Sequence, residues 1–206
     1  MRPAFVYLDL GNVVFTFDRG RAFRQMAAEC GADAATVEAV VMAGGLQERL
    51  EQGRLDWAAF HAEFSRRTGT SSDPARLARA AADMFEVNPG IMPIVAGLER
   101  AGVPTGVLSN TCTVHWDHIV ARGSWLIPGR FAPIVLSCAA GVMKPERRIY
   151  EAAADAAGVS PERIFFTDDT PGHVAAARGA GWDAEVFTTP AALIAALDQR
   201  GLRLGL

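Results

Sequence analysis

Residues 163–181 read Arg-Ile-Phe-Phe-Thr-Asp-Asp-Thr-Pro-Gly-His-Val-Ala-Ala-Ala-Arg-Gly-Ala-Gly, and this stretch decides the fold. Its apolar run shows no polar alternation, which predicts a buried strand over residues 163–167. Thr170 is a good N-cap and Pro171 suits the first turn of a helix, so a helix is predicted over residues 171–181. A buried strand that ends in polar residues and leads at once into a helix is typical of a parallel α/β sheet.

The same pattern recurs along the chain. Short apolar runs predict further strands over residues 4–10, 104–108, 133–136 and 184–187. Helix signatures, each opened by a proline, follow over residues 145–157 and 190–200. The sequence therefore predicts an α/β protein with a doubly wound, Rossmann-like parallel sheet.

One long gap interrupts this rhythm. The first strand ends near Leu10 and the second near Ser109, whereas a crossover unit needs roughly 30 residues. Helical patterns fill most of the gap, over residues 21–30, 34–42, 46–52, 56–67 and 74–85. We therefore expect a helical cap over residues 17–86, inserted after the first strand, and an α/β core made of residues 1–16 and 87–206. Such a cap would lie above the carboxyl ends of the strands, where open α/β sheets bind ligands.

Composition excludes several classes of function. Half of the 206 residues are hydrophobic and the net charge is −3, without clusters of basic residues, so a nucleic-acid partner is not expected. No apolar run is long enough for a membrane span, and no membrane partner is expected. The cysteines, Cys30, Cys112 and Cys138, have no metal-binding spacing and are expected to be reduced thiols of a cytoplasmic protein. A monomer or a homodimer is expected.

Acidic residues stand directly after two of the predicted strands. Asp9 ends the first strand, and Asp168 and Asp169 end the fourth. The carboxyl ends of parallel strands meet at one edge of a sheet, so these carboxylates are expected to lie together. Crowded carboxylates need a divalent cation, and hard oxygen ligands favour Mg²⁺.

Two further groups belong to the same edge. Ser109 ends the second strand, and Lys144 precedes the helix that follows the third. A lysine and a hydroxyl beside a metal can bind the oxygens of a phosphoryl group. A neighbouring carboxylate can then act as a nucleophile and form an aspartyl-phosphate.

Four short motifs support a family resemblance. They are Tyr7-Leu8-Asp9-Leu10-Gly11-Asn12-Val13-Val14, Val107-Leu108-Ser109-Asn110-Thr111, Met143-Lys144-Pro145 and Phe165-Phe166-Thr167-Asp168-Asp169. In this order, with a helical insertion after the first strand, the chain resembles the haloacid dehalogenase superfamily, which consists mostly of Mg²⁺-dependent phosphatases. The resemblance covers essentially the whole chain.

The resemblance implies a metal site and a nucleophile. Asp9 would be the nucleophile, and the Mg²⁺ ligands would be the Asp9 carboxylate, the backbone carbonyl of Gly11 and Asp169. Asp168 would support the metal's waters or Lys144. The implied function is a Mg²⁺-dependent phosphomonoester hydrolase that forms an aspartyl-phosphate on Asp9.

The resemblance also implies how the substrate is bound. Ser109 and Lys144 would hold the phosphoryl oxygens, with help from the backbone around Asn110. The helical cap would close over the substrate and exclude water. The expected partner is therefore a small phosphorylated metabolite.

The chain departs from the family pattern at Gly11. Most family phosphatases carry an aspartate there, which protonates the leaving group and later activates water, and such catalysis contributes roughly 10²–10⁴-fold. The Asp-Leu-Gly-Asn form resembles a bacterial branch that includes α-glucose-1-phosphate phosphatases, whose anomeric leaving group is better than a simple alkoxide. A sugar phosphate is thus the expected substrate. His173, at the start of a helix after the acidic pair, is one candidate for the missing proton transfer.

Two alternatives stay open. A metal-independent 2-haloacid dehalogenase would use Asp9 to displace halide, but Asp168 and Asp169 would then meet an anionic substrate without compensation. A non-catalytic homologue that binds a phosphorylated ligand would explain Gly11 but leaves Asp9 and Lys144 without a purpose. Metal dependence separates the phosphatase from the dehalogenase.

Overall fold

A computed structural model describes residues 1–127 and 129–206 of the chain. Its strands are β1 (Phe5–Leu8), β2 (Phe15–Phe17), β3 (Phe85–Val87), β4 (Thr105–Ser109), β5 (Ile134–Leu136), β6 (Ile164–Asp168) and β7 (Asp183–Val186). Within the described residues, five of these strands form one sheet in the order β5-β4-β1-β6-β7, and every neighbouring pair is parallel. The predicted doubly wound α/β fold is confirmed.

Helices flank this sheet and fill the long gap after β1. Those of the first half are α1 (Arg19–Cys30), α2 (Ala34–Glu38), α3 (Leu46–Glu51), α4 (Trp57–Thr68), α5 (Pro74–Ala82) and α6 (Ile91–Arg100). Those of the second half are α7 (Thr113–Arg122), α8 (Ser137–Ala140), α9 (Arg147–Ala157), α10 (Pro171–Gly179) and α11 (Pro190–Gln199). A π-helical turn (Ala39–Ala43) continues α2, and a 3-10 turn (Pro161–Arg163) precedes β6. None of the described helices combines the length and the apolar character that crossing a membrane requires.

The central strand β1 is buried on both faces. Val6 and Leu8 point into the apolar layer that α6 and α11 share, while Phe5 and Tyr7 point into the layer of α9 and α10. Alternate residues of a strand face opposite sides, so a strand covered on both sides is apolar at every position. This is the reason why β1 shows continuous rather than alternating hydrophobicity.

Helices α1 to α5, residues 19–82, form what we call the helical segment. Aspartates cap most of these helices; Asp18, for example, accepts a hydrogen bond from the backbone of Arg21, and Asp56 from that of Ala59. The segment has its own apolar cluster, in which Trp57, Phe60 and Phe64 stack in sequence along α4.

A short ribbon connects the helical segment to the sheet. Strands β2 and β3 pair antiparallel, with Phe17 opposite Phe85, so the insertion begins and ends side by side. The sequence predicts a helix up to residue 85, but α5 ends at Ala82 and the chain turns into β3. The expected boundaries at residues 17 and 86 therefore fall inside the ribbon, and the function of residues 17–86 as a cap stays a prediction.

Candidate active site

The predicted site residues meet at the carboxyl edge of the central sheet. Asp9 follows β1, Ser109 ends β4 and Asp168 ends β6, and these three strands are neighbours. Lys144 reaches the same place from the loop before α9. All four of these polar residues are buried.

Lys144 is at the centre of the cluster. Its ammonium donates to Asp9 Oδ1 at 2.7 Å, to Asp168 Oδ2 at 2.5 Å and to the Leu108 carbonyl at 3.0 Å. Burial would lower the pKa of Lys144, but the adjacent carboxylates outweigh it and raise this pKa above its ordinary value. Lys144 is also the only lysine of the chain, in which all the other strongly basic residues are arginines. A compact ammonium has three donors, which match the three oxygen acceptors around it.

Asn110 fixes the position of Lys144. The Asn110 side chain accepts from the Lys144 amide at 2.9 Å and donates to the Lys144 carbonyl at 2.9 Å. The sequence predicted a backbone contribution from Asn110 to phosphoryl binding and missed this role of its side chain. Ser109 lies beside it with its hydroxyl 3.5 Å from the Asn110 carbonyl, too long for a strong hydrogen bond, so this hydroxyl remains available to a ligand.

Three carboxylates lie close together. One oxygen of each of Asp9, Asp168 and Asp169 lies within 4.8 Å of the others. Asp168 Oδ1 accepts from the Thr170 amide at 2.8 Å, and His173 Nδ1 lies 3.1 Å from both Asp168 oxygens. Asp168 is thereby held in place from several sides. Hard oxygen donors in this arrangement fit a divalent cation such as Mg²⁺.

The two buried aspartates differ in electrostatic environment. Burial favours the protonated form of Asp168, but hydrogen bonds from His173 and Lys144 and the Lys144 charge lower its pKa to about 2. Burial raises the pKa of Asp9 to about 6, although Lys144 acts in the opposite direction. Among the described side chains, Lys144 hydrogen-bonds to Asp9 Oδ1 and none donates to Oδ2, while a hydrogen bond from the Leu10 backbone also lowers the pKa of Asp9.

The loop after β1 contributes Gly11 and Asn12. Asn12 has φ 57°, a left-handed conformation that asparagine tolerates, and its amide donates to Asp169 Oδ2 at 2.8 Å. A Cβ atom at Gly11 would lie 2.8 Å from Cε1 of Phe17. The Phe17 ring thus occupies the space into which a side chain at position 11 would extend. The roles of Asn12 and Phe17 were not predicted from the sequence; an asparagine after a glycine in a tight turn is the one local signal for Asn12.

Two adjacent cavities lie at this edge of the sheet. The polar pocket is lined by Asp9, Lys144, Asp169, Thr170 and His173. The apolar chamber lies between the helical segment and the sheet and is lined by Phe23, Met26, Trp57, Phe60 and Phe85, among others. The two cavities share the lining residues Gly11, Phe17, Arg19, Glu51, Ser109 and Asn110.

The histidines of α7 do not join the acidic cluster. His115 is buried against the apolar chamber, edge-on to Phe85, and burial lowers its pKa to about 4. His118 lies 3.7 Å from Asp83. In the described part of the chain, the metal-type cluster consists of Asp9, Asp168 and Asp169.

The chain matches the model of a known protein family. A model of the haloacid dehalogenase-like hydrolases matches residues 7–181. No curated protein sequence matches the chain.

Solved structures with the same fold include enzymes of different kinds. A predicted HAD-like family hydrolase from Porphyromonas gingivalis has a TM-score of 0.80 at 24% identity, covering 97% of this chain and 98% of that one. A HAD family enzyme from Bacteroides thetaiotaomicron, in complex with magnesium and inorganic phosphate, has a TM-score of 0.76 at 20% identity and coverages of 90% and 94%. L-2-haloacid dehalogenase from Xanthobacter autotrophicus, with chloropropionic acid covalently bound, has a TM-score of 0.63 at 18% identity and coverages of 89% and 76%. At these identities the similarity shows the fold.

Proposed function

We propose that this chain, which belongs to the haloacid dehalogenase-like hydrolases, is a Mg²⁺-dependent phosphomonoester hydrolase that forms an aspartyl-phosphate on Asp9. The observation that carries the proposal is the Lys144 ammonium bound between Asp9 and Asp168, with Asp169 beside them. One cation cannot balance three carboxylates, and the remaining negative charge favours a divalent cation.

Asp9 is the proposed nucleophile. Lys144 holds its Oδ1, and Asp9 lines the polar pocket, so Oδ2 is the oxygen that we propose attacks the phosphorus atom there. The new bond joins Asp9 to phosphorus while the ester bond to the leaving group breaks. Lys144, the Ser109 hydroxyl and the backbone around Asn110 would bind the phosphoryl oxygens and stabilise the charge that builds up on them.

The proposed Mg²⁺ ligands are the Asp9 carboxylate, the Gly11 carbonyl and Asp169. Asp168, which the Thr170 amide and Lys144 already hold, would orient Lys144 and the waters of the ion. When bound, the cation would neutralise phosphoryl oxygens and orient the ester for attack. The Bacteroides thetaiotaomicron enzyme of the same fold, crystallised with magnesium and inorganic phosphate, supports this proposal.

The proposed substrate is a small phosphorylated metabolite, with a sugar phosphate as the first choice. An anomeric leaving group fits the absence of a carboxylate at Gly11. Gln47, Glu51 and His115 line the apolar chamber and could bind hydroxyl groups, while Trp57 offers an aromatic face. The α-glucose-1-phosphate branch and a monomeric or homodimeric state stay predictions.

A 2-haloacid dehalogenase is the second candidate. The apolar lining of the chamber and the shared fold of the Xanthobacter autotrophicus dehalogenase favour it. The acidic cluster speaks against it, because no lysine, arginine or histidine of the described residues lies within 4.0 Å of the Asp169 carboxylate. A metal-free reaction with an anionic haloacid would leave this negative charge uncompensated.

A non-catalytic homologue that binds a phosphorylated ligand is the third candidate. It would explain Gly11, but the intact Asp9 and Lys144 argue against it.

The test is hydrolysis of 4-nitrophenyl phosphate, whose leaving group needs little protonation. We expect turnover with Mg²⁺ and none with EDTA or in Asp9→Asn. Asp155→Asn, which removes an exposed carboxylate on α9, is the matched control and should keep full activity. Halide release from 2-chloropropionate without metal would instead establish the dehalogenase. Absence of both reactions in the folded protein would favour a binding function.

A further inference from the structure

We infer that Glu51 is the catalytic acid and base that replaces the carboxylate absent at Gly11. The inference rests on the proposed phosphatase function and adds a residue from the helical segment to the chemistry at the sheet edge.

Glu51 stands where the two cavities join. It is the last residue of α3, and it lines both the polar pocket and the apolar chamber. In the pose that we propose, a phosphate ester has its phosphoryl group at Asp9 in the polar pocket and its leaving group toward the apolar chamber. Of the six residues shared by the two cavities, Glu51 is the only one with a carboxyl group.

The surroundings of Glu51 suit a proton donor. Gln47 donates to its Oε1 at 2.8 Å, and no other described side chain hydrogen-bonds to it. No cationic side chain of the described residues lies within 4.0 Å of it, unlike Glu63, which pairs with Arg49 and Arg67. Burial raises the pKa of Glu51 and outweighs the Gln47 hydrogen bond and the charges of Arg19 and Lys144, which lower it; the Asp9 charge acts in the same direction as burial. A carboxyl group with a raised pKa keeps its proton closer to neutral pH.

A close contact holds Glu51 over the sheet. Gly53, two residues after Glu51, packs directly on the backbone carbonyl of Cys138 in α8, so closely that a Cβ atom would not fit. Gly53 has φ 67°, which glycine adopts without strain. This contact joins the end of α3 to the α/β part of the molecule, two residues from Glu51.

His173 is the competing candidate and is less well placed. Its Nδ1 faces both oxygens of Asp168 at 3.1 Å. It lines the polar pocket but not the apolar chamber, toward which the proposed pose directs the leaving group. His173 is therefore a positioning residue for Asp168.

The proton transfers balance over two steps. In the first, Asp9 bonds to phosphorus, the ester P–O bond breaks, and the proton of the Glu51 carboxyl goes to the leaving oxygen. In the second, the Glu51 carboxylate takes a proton from water as the water oxygen attacks phosphorus. The bond from phosphorus to Asp9 then breaks, which releases phosphate and restores the protonated Glu51.

The test is a series of phosphate esters whose leaving groups each contain one benzene ring but differ in basicity: 4-nitrophenyl, phenyl and benzyl phosphate. For Glu51→Gln we expect kcat/KM to fall by less than about threefold on 4-nitrophenyl phosphate but by about 100-fold on benzyl phosphate, whose alkoxide needs a proton. Glu48→Gln, an exposed neighbour on α3, is the matched control and should leave all three values unchanged.

Each outcome is decisive. An equal fall in the kcat/KM of Glu51→Gln on the three esters would show a merely structural role for Glu51 and overturn the inference. An unchanged kcat/KM on benzyl phosphate would overturn it as well. A loss that depends on the leaving group in His173→Asn but not in Glu51→Gln would assign the proton to His173. Wild-type turnover of 4-nitrophenyl phosphate without turnover of benzyl phosphate would show that no residue supplies the proton. Absence of wild-type turnover on every ester would instead contradict the proposed function itself.

Discussion

Gly53→Ala should be more harmful than Gly45→Ala. Both place an alanine in a left-handed conformation, but only Gly53→Ala also creates a steric clash with Cys138. Gly53 and Gly45 flank α3 and share a left-handed backbone, with φ 67° and 73°. A Cβ at Gly45 meets no heavy atom within 4 Å, whereas at Gly53 it meets the Cys138 carbonyl. Gly45→Ala is therefore a matched control with the same backbone strain and no steric contact.

The expected magnitudes follow from this difference. A left-handed alanine costs roughly 1–2 kcal/mol of unfolding free energy, which both variants should lose. Gly53→Ala must also move the end of α3 away from α8, and overpacking of this kind costs about 1–3 kcal/mol more. A displacement of about 1 Å at a reacting group can lower the rate by about 100-fold. Since Glu51 would move with the helix end, kcat/KM on benzyl phosphate should fall at least about tenfold.

Two measurements test this reasoning. Urea unfolding of both variants gives the free energies, and kcat/KM on benzyl phosphate gives the catalytic effect. We expect Gly45→Ala to keep its activity within about twofold, since its backbone strain does not reach the site. Equal stability and equal activity in the two variants would show that the contact between Gly53 and Cys138 does not position Glu51.

Three further predictions concern the sheet edge. Lys144→Met should lower the free energy of unfolding by about 3–5 kcal/mol without Mg²⁺, because it leaves the buried Asp9 carboxylate without a cationic partner and takes the ammonium from the buried Asp168, which retains His173. The exposed Arg148→Met should change this free energy by less than about 0.5 kcal/mol; equal urea midpoints would contradict the central role of Lys144. Gly11→Asp should lower Tm and bring no gain in kcat/KM on benzyl phosphate, because the Phe17 ring occupies the space; a gain would show that the ring moves aside. Mg²⁺ at 100 times its Kd should stabilise the wild type by about 2.7 kcal/mol in thermal unfolding but not Asp169→Asn; equal shifts would place the ion elsewhere.

Much of the fold could be predicted because its signals are local. Continuous apolar runs mark β1, β4 and β6, and the polar residue at the end of each strand follows from the same runs. Asp56 before Trp57 likewise predicts the start of α4. The ribbon of β2 and β3 escaped prediction because its strands are three residues long and pair across the whole helical segment. No local periodicity records such a pairing.

The candidate site was predictable in its members but not in their contacts. Strand ends gather Asp9, Ser109 and Asp168 by topology, so the sequence could place them together. The side-chain bonds of Asn110 to the Lys144 backbone depend on two loops meeting, which a single sequence does not show. The sequence alone does not distinguish Glu51 from a surface charge, because only the packing of the helical segment on the sheet places it beside the polar pocket.

We expect Asp9 to carry the phosphoryl group during turnover. Acid quenching of the wild-type protein during hydrolysis of 4-nitrophenyl phosphate with Mg²⁺, followed by peptide mass spectrometry, detects such an intermediate. We predict one phosphoryl group on the peptide that contains Asp9, absent with EDTA and absent from Asp9→Asn. Active turnover with an unmodified Asp9 peptide, or with the phosphoryl group on another residue, would contradict the account.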